Sequence, residues 1–191
     1  MVIRDYPAER LYTVEEFWDF LELPENQDRK FELINGVIVE AMSPGFQHGV
    51  VVLDIGSFMR VFVRQNDLGE VAVEVDHYLP PDKFNTRRPD VEFISKARLG
   101  TFDPTQYVPL MPDLAVEVKS PSNTPEELRQ KAAYYLQNGV RLVWLVFPDT
   151  QTVFVHTPDN PAGKKFGMED TLDGGDVLPG FTLALKDIFR A

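Results

Sequence analysis

A mixed α/β (α+β) fold, with helices on both faces of one sheet, is the class this sequence predicts. Three patterns predict it. Segments with the 3.6-residue apolar period of a helix alternate with segments of period two. Asn35-Gly36 joins two short apolar runs, the strongest short-range signal of a β-hairpin. Strand-like runs between 70 and 119 follow one another directly, and a helical segment then separates the last of them from an apolar run at 140–147. That interposed helix is how a chain returns parallel to itself.

The elements follow in order. Thr13-Val-Glu-Glu16 has the form of a capping box, with Val14, Phe17, Trp18 and Leu21 at helical spacing and Pro24 as the stop. In the hairpin that follows, a two-residue loop pairs Ile34 with Val37 and Glu32 with Val39. Glu32 therefore shares a face with Ile34, Val37, Val39 and Ala41, where a carboxylate needs a partner. A second helix over 47–65 carries His48, Val51, Val52, Ile55, Phe58, Met59 and Phe62, and Asn66-Asp67-Leu68-Gly69 stops it. Residues 70–79 alternate as one half-buried strand, ended by Pro80-Pro81. Strands at 89–94 and 113–119 flank an irregular stretch at 99–112.

Thr124-Pro125-Glu-Glu127 supplies an N-cap, a proline at the first helical position and a second capping box. The helix it opens turns Leu128, Ala132, Tyr135 and Leu136 inward, and Gly139 closes it. Val140 to Phe147 reads as a buried strand, and 152–189 as two or three short strands with a terminal helical turn.

Composition narrows the function. With 191 residues the chain is expected to form a single domain, 1–191: an N-terminal helix and hairpin (1–45), a core (46–148) and a β-rich tail (149–191). The absence of cysteine excludes disulfides, thiolate zinc sites, iron–sulfur clusters and a thiol nucleophile. Asp5, Glu9 and Arg10 interrupt the N-terminus before any secretory apolar run forms, and no uncharged run nears membrane-spanning length, so a cytoplasmic location is expected. The net charge of −11 argues against coating nucleic acid by bulk electrostatics. One local strip, 83–98, is basic; it is either a solvated loop or a face for phosphates.

No GxGxxG, GxxxxGK or GxSxG occurs, and His48, His77 and His156 lack metal-ligand spacing. Carboxylates remain. Period two places Asp113, Ala115, Glu117 and Lys119 on one face of their strand, with Glu117 and Lys119 about 6.6 Å apart. Asp113 lies roughly 13 Å from Glu117 along the same strand, too far to share one ion with it, whereas Asp90 on a neighbouring strand can. A buried Asp–Lys or Glu–Lys ion pair is the alternative for Asp90, Glu117 and Lys119. Glu32 is either a third acid of that site or a structural partner of Lys119. Lys131 and Tyr134 fall on the polar side of their helix, as solvated residues or as phosphate contacts.

Pro89-Asp90 followed by Glu117-Val118-Lys119 has the form PD…ExK. Together with Phe31-Glu-Leu-Ile-Asn-Gly36, Met42-Ser43-Pro44, His48, Pro112 to Asn123, Lys131…Tyr135…Gly139-Val140 and Trp144-Leu-Val146, it resembles the Uma2-like (DUF820) branch of the PD-(D/E)XK nuclease superfamily. Placement carries the resemblance more than the motif, because five Pro-Asp pairs occur and Asp28-Arg-Lys30 is a second acid-x-Lys match.

The resemblance implies a restriction-endonuclease-like sheet of αβββαβ order and a metal-dependent endonuclease hydrolysing DNA. Asp90 and Glu117 would hold Mg²⁺ or Mn²⁺, with Lys119 and Glu32 also catalytic. His48 would support them, and Arg87, Arg88 and Lys131 are candidate phosphate contacts. The implied partner is DNA, duplex and weakly held without metal, cut by a homodimer whose two-fold axis supplies two sites, with the tail as part of the interface. A nuclease fold that no longer cuts and serves as a binding or assembly module is the alternative.

Overall fold

The computed structural model describes residues 10–189, so the secretory-signal reading of the first nine residues lies outside it. Helix α1 (Val14–Leu21) begins with the expected capping box: the Thr13 hydroxyl accepts from the Glu16 N–H, and the Glu16 carboxylate accepts from the Thr13 N–H. Strands β1 (Lys30–Ile34) and β2 (Val37–Ala41) pair in the predicted register, Glu32 opposite Val39. Their turn uses positive φ at both central residues, 51° at Asn35 and 77° at Gly36. One face of the hairpin, Phe31, Leu33 and Ile38, packs on Val14 and Phe17 of α1. The opposite face, with Glu32, Ile34, Val39 and Ala41, lines a cleft.

Helix α2 (Phe46–Gln65) leads to β3 (Gly69–Ala72), β4 (His77–Leu79), β5 (Asp82–Arg87) and β6 (Val91–Ser95). A short helical turn α3 (Lys96–Leu99), strand β7 (Leu114–Val118), helix α4 (Pro125–Gln137) and strand β8 (Leu142–Phe147) follow. The C-terminal part adds β9 (Thr152–Thr157), β10 (Asn160–Phe166), β11 (Thr171–Gly174), β12 (Leu178–Ala184) and a 3-10 turn at Leu185–Asp187.

The central sheet is mixed, as predicted, in the order β10-β9-β8-β7-β6-β3. Its one parallel pair, β7–β8, is joined through α4. Side-chain alternation on β7 sends Leu114, Val116 and Val118 towards Val51, Ile55, Met59 and Val63 of α2. Ala115 faces the other way, onto Leu128, Ala132 and Tyr135 of α4. Glu117 shares that second face. Among the described residues α2 alone is long and apolar enough to cross a bilayer, yet its inner face is buried in this core.

Three expectations need correction. Residues 70–79 do not form one strand: Glu74 takes φ 54°, its N–H bonds the Pro89 carbonyl, and the chain bends from β3, paired with β6, into β4, paired with β5. The strip 83–98 is not one loop, since 82–87 is strand β5 and 91–95 strand β6; Lys83 and Lys96 are exposed, whereas Arg87 is buried. The tail holds four strands, of which β9 and β10 extend the central sheet. Its Leu172, Leu178, Phe181, Leu183, Ile188 and Phe189 are buried with α2, so these apolar groups are spent inside the chain.

Candidate active site

Asp90 sits just before β6, clamped to β7. Its N–H donates to the Val116 carbonyl at 3.0 Å, and its Oδ2 accepts from the Val118 N–H at 2.6 Å. The side chain is thereby fixed beside the residue that follows Glu117. His48, in the first turn of α2, brings Nε2 to 3.3 Å from Asp90 Oδ1. This contact pushes the imidazole pKa up, outweighing the burial that lowers it.

Glu117 is held from α4. The Tyr135 hydroxyl donates to its Oε1 at 2.7 Å, and Lys131 Nζ donates to its Oε2 at 3.1 Å. Lys131 and Tyr135 reach one carboxylate because residues four apart share a helix face. The same ammonium donates to Glu32 Oε1 at 3.2 Å, and Glu32 also accepts from the Arg88 N–H at 3.2 Å. Asp90, Glu117, Glu32, His48 and Lys131 thus line one cleft of about 480 Å³ between the hairpin, the start of α2 and α4.

Three carboxylates share one ammonium there, and their titration differs accordingly. Burial lifts Glu117 to about 7, and the nearby charges of Asp90 and Glu32 add to the lift against the pull of Lys131. Burial also raises Glu32, but Lys131 and Arg87 more than offset it, and that carboxyl stays below its usual value. Lys131 is raised, because Glu117, Glu32 and Asp90 outweigh its own burial. Glu117 is therefore the member that takes a proton when no further cation is present, and Lys131 is then left with Glu32 as its charged partner.

Such a set suits a hard divalent ion: oxygen donors only, an excess of negative charge, and a cation already seated between two of the acids. Among the described residues no three His, Asp or Glu side chains converge as a ready-made ligand cage. Mg²⁺ needs no such cage, being usually bound by one or two carboxylates with water and phosphate completing its shell.

Several side chains fall elsewhere than the sequence suggested. Lys119 does not enter the cleft: its Nζ lies 3.0 Å from Asp149, in an adjoining hollow that shares His48 and Ser120. It follows the end of β7, where the strand face no longer fixes its direction. Glu32 consequently partners Lys131, not Lys119. Lys131 is not a solvated residue; it is the centre of the cluster. Arg87 is buried, donates to the Leu33 and Thr86 carbonyls, and lies 3.9 Å over the Tyr134 ring. Arg88 is engaged through both Nε and Nη2 by the Asp76 carboxylate. Neither guanidinium is a free phosphate contact. Asp113 has the structural place expected of it, accepting from the Ser95 N–H and pairing with Arg98 and Arg141. The helical stripe held the missed signal, because Lys131 lies three residues after Leu128 and four before Tyr135, both inward.

Comparison with known proteins places this geometry. The family described as "Uma2: Putative restriction endonuclease" matches residues 17–186. A solved structure from Anabaena variabilis ATCC 29413, described as "a putative nuclease belonging to DUF820", is similar at 22% sequence identity, covering 93% of this chain and 97% of that one, with a TM-score of 0.78. At that identity the likeness is one of fold. No curated protein matches the chain.

Proposed function

Because the chain belongs to the Uma2 family, we propose that it hydrolyses phosphodiester bonds in DNA, using Mg²⁺ or Mn²⁺ held by Asp90 and Glu117. The observation that carries this is that Asp90, Glu117 and Glu32 line one cleft around a single half-buried ammonium, leaving Glu117 at about 7. Structural ion pairs balance their charges; this cluster sets three carboxylates against one ammonium and stays short of positive charge until a further cation arrives. When bound, the ion would supply Lewis-acid polarisation of the phosphate and an acidified water.

The chain's own residues do the rest. Tyr135 fixes the direction of Glu117 by its hydrogen bond, and the Val118 N–H and His48 do the same for Asp90. Glu117 gives up its proton as the ion is taken. Lys131, with its pKa raised, stays charged, so it acts as a cation against the negative charge of the transition state and not as a base. Glu32 holds that ammonium in place. Lys131 thus takes the role that the ExK spacing suggested for Lys119. The central sheet running from β3 to β10 supports treating 1–191 as one domain. Cutting both strands of a duplex would require a homodimer, whereas one cleft suffices for one strand.

The test is cleavage of plasmid DNA with Mg²⁺ or Mn²⁺ by wild type, Asp90→Ala and Lys131→Ala. Metal-dependent cutting by wild type, lost in both variants, is expected. No cutting by wild type would leave the binding-module alternative. Cutting that survives Asp90→Ala would place the chemistry elsewhere.

A further inference from the structure

The Arg87 guanidinium has donors to spare. Of its three nitrogens Nη1 alone donates, to the Leu33 carbonyl at 3.3 Å and the Thr86 carbonyl at 2.7 Å. Among the described residues Nε and Nη2 have no hydrogen-bond partner, although Nε is buried and the residue is only 6% exposed. The next residue shows what this edge of an arginine does: Arg88 grips the Asp76 carboxylate with its own Nε and Nη2. Unpartnered buried donors are rare in folded proteins, and each one asks for a water, an ion or a ligand.

The position and the surrounding charge say which. Arg87 and Tyr134 both line the cleft that holds Asp90 and Glu117. The guanidinium lies over the Tyr134 ring, 3.9 Å from its centroid, and the stacking restrains the direction of the planar fork. Its charge is already matched. Against the lift from burial, Lys131 and then Arg87 hold the Glu32 carboxyl below its usual value. Asp82 accepts from the Tyr134 hydroxyl at 3.2 Å, on the ring against which the guanidinium rests. A phosphate entering between these acids meets like charge, which is costly. What the edge lacks is a pair of neutral acceptors. The N7 and O6 of guanine are such a pair, and arginine is their commonest partner. Because Arg87 is recessed, the base has to come to it, out of the stack and into the cleft.

Resting on the nuclease reading above, we propose that Arg87 forms a guanine subsite, selecting the base that flanks the scissile phosphate. Nε and Nη2 donate to N7 and O6, while the phosphate lies at Asp90 and Glu117. The two places adjoin, since Glu32 and Glu117 share the Lys131 ammonium and Arg87 precedes Asp90 by three residues. Adenine fails there, because its N6 amino group sets a donor against a donor. A single strand offers the guanine directly, and a duplex offers it by extrusion.

The experiment is fluorescence anisotropy on the full chain in Ca²⁺ buffer. The probes are labelled thymidine strands of about 8 nucleotides, a length within the range of single-strand sites. Each carries one central guanine, 7-deazaguanine, adenine or cytosine. The guanine strand should bind at least about tenfold more tightly than the adenine or cytosine strand. The 7-deazaguanine strand, which lacks the N7 acceptor, should lose at least about fivefold. The same sequences folded into duplex hairpins identify the source: guanine dependence kept in the duplex means an extruded base, and dependence confined to the single strand means an unpaired one. Arg87→Lys keeps the charge and a donor for the two carbonyls but loses the fork, so it should abolish the guanine preference. If that variant does not fold, the base substitutions with wild type decide alone. Equal affinity for guanine and adenine, or no loss with 7-deazaguanine, would overturn the proposal and leave a bound water as the partner of Nε. A preference for cytosine would also overturn it. Guanine-dependent binding without Mg²⁺ cleavage would refute the nuclease reading while leaving the subsite standing. Cleavage indifferent to the flanking base would do the reverse.

Discussion

Replacing Glu117 by Gln tests the crowded-acid account most directly, through stability. In the folded protein Glu117 titrates at about 7, against 4.5 for an unperturbed Glu. The folded state thus holds a proton that the unfolded state releases first. Stability from this group is fully present below pH 4.5 and is lost as pH rises through 7. A gap of about 2.5 pH units corresponds to roughly 3 kcal/mol, and Glu117 is buried enough that solvent screening takes little from it. Gln mimics the protonated carboxyl, accepting from Tyr135 in the same way. In EDTA, urea midpoints of wild type and Glu117→Gln should therefore agree closely near pH 5. Near pH 8.5 the variant should be the more stable, by up to about 3 kcal/mol. Other groups titrate over this range, but the difference between the two proteins isolates Glu117. A variant less stable than wild type at pH 8.5 would show that Glu117 is a charged partner satisfied by Lys131, and the crowded-acid account would fall.

Mg²⁺ should raise the wild-type denaturation midpoint, by about 2.7 kcal/mol at a hundred times its Kd, and Asp90→Asn should lose most of that gain; calorimetry with and without the ion measures it. Lys131→Met should destabilise the metal-free protein by about 3–5 kcal/mol at pH 8.5, and less at pH 5, where Glu117 is protonated; chemical denaturation at the two pH values checks this. In single-turnover cleavage the same variant should lose at least about a hundredfold in rate, whereas Lys119→Met should stay within about threefold of wild type. Tyr135→Phe should lower metal affinity by about tenfold, the order found when a ligand loses its orienting hydrogen bond, as read by titration calorimetry.

The sequence made the scaffold readable where local chemistry and tertiary packing agree. Asn35-Gly36 dictated both the turn and the register that turns Glu32 to the cleft, and the capping boxes at Thr13 and Thr124 placed α1 and α4. Alternation on β7 correctly set Glu117 opposite Val116 and Val118. Legibility failed where a long side chain chooses among partners distant in sequence. Lys119 and Lys131 are both two to four residues from a site acid or its ligand, and only the docking of α4 on β7 decides which ammonium is inside. The break at Glu74 was hidden because a positive φ in a non-glycine residue is held there by the Pro89 carbonyl, a contact that no local pattern announces.

The bond between Glu32 and Lys131 spans 99 positions of the chain, and Glu117 gains its two α4 donors only after that helix has been made. The apolar side chains of residues 172–189 are buried against α2, the helix that carries His48. On the proposed reading the chain severs DNA, an activity that endangers the cell making it, above all during synthesis. Here a nascent chain or a truncated fragment has the acids without the ammonium, or the ammonium without a stable core. On that reading, cutting ability arrives only once residues 172–189 have packed, and synthesis that stops before them yields a product that cannot cut.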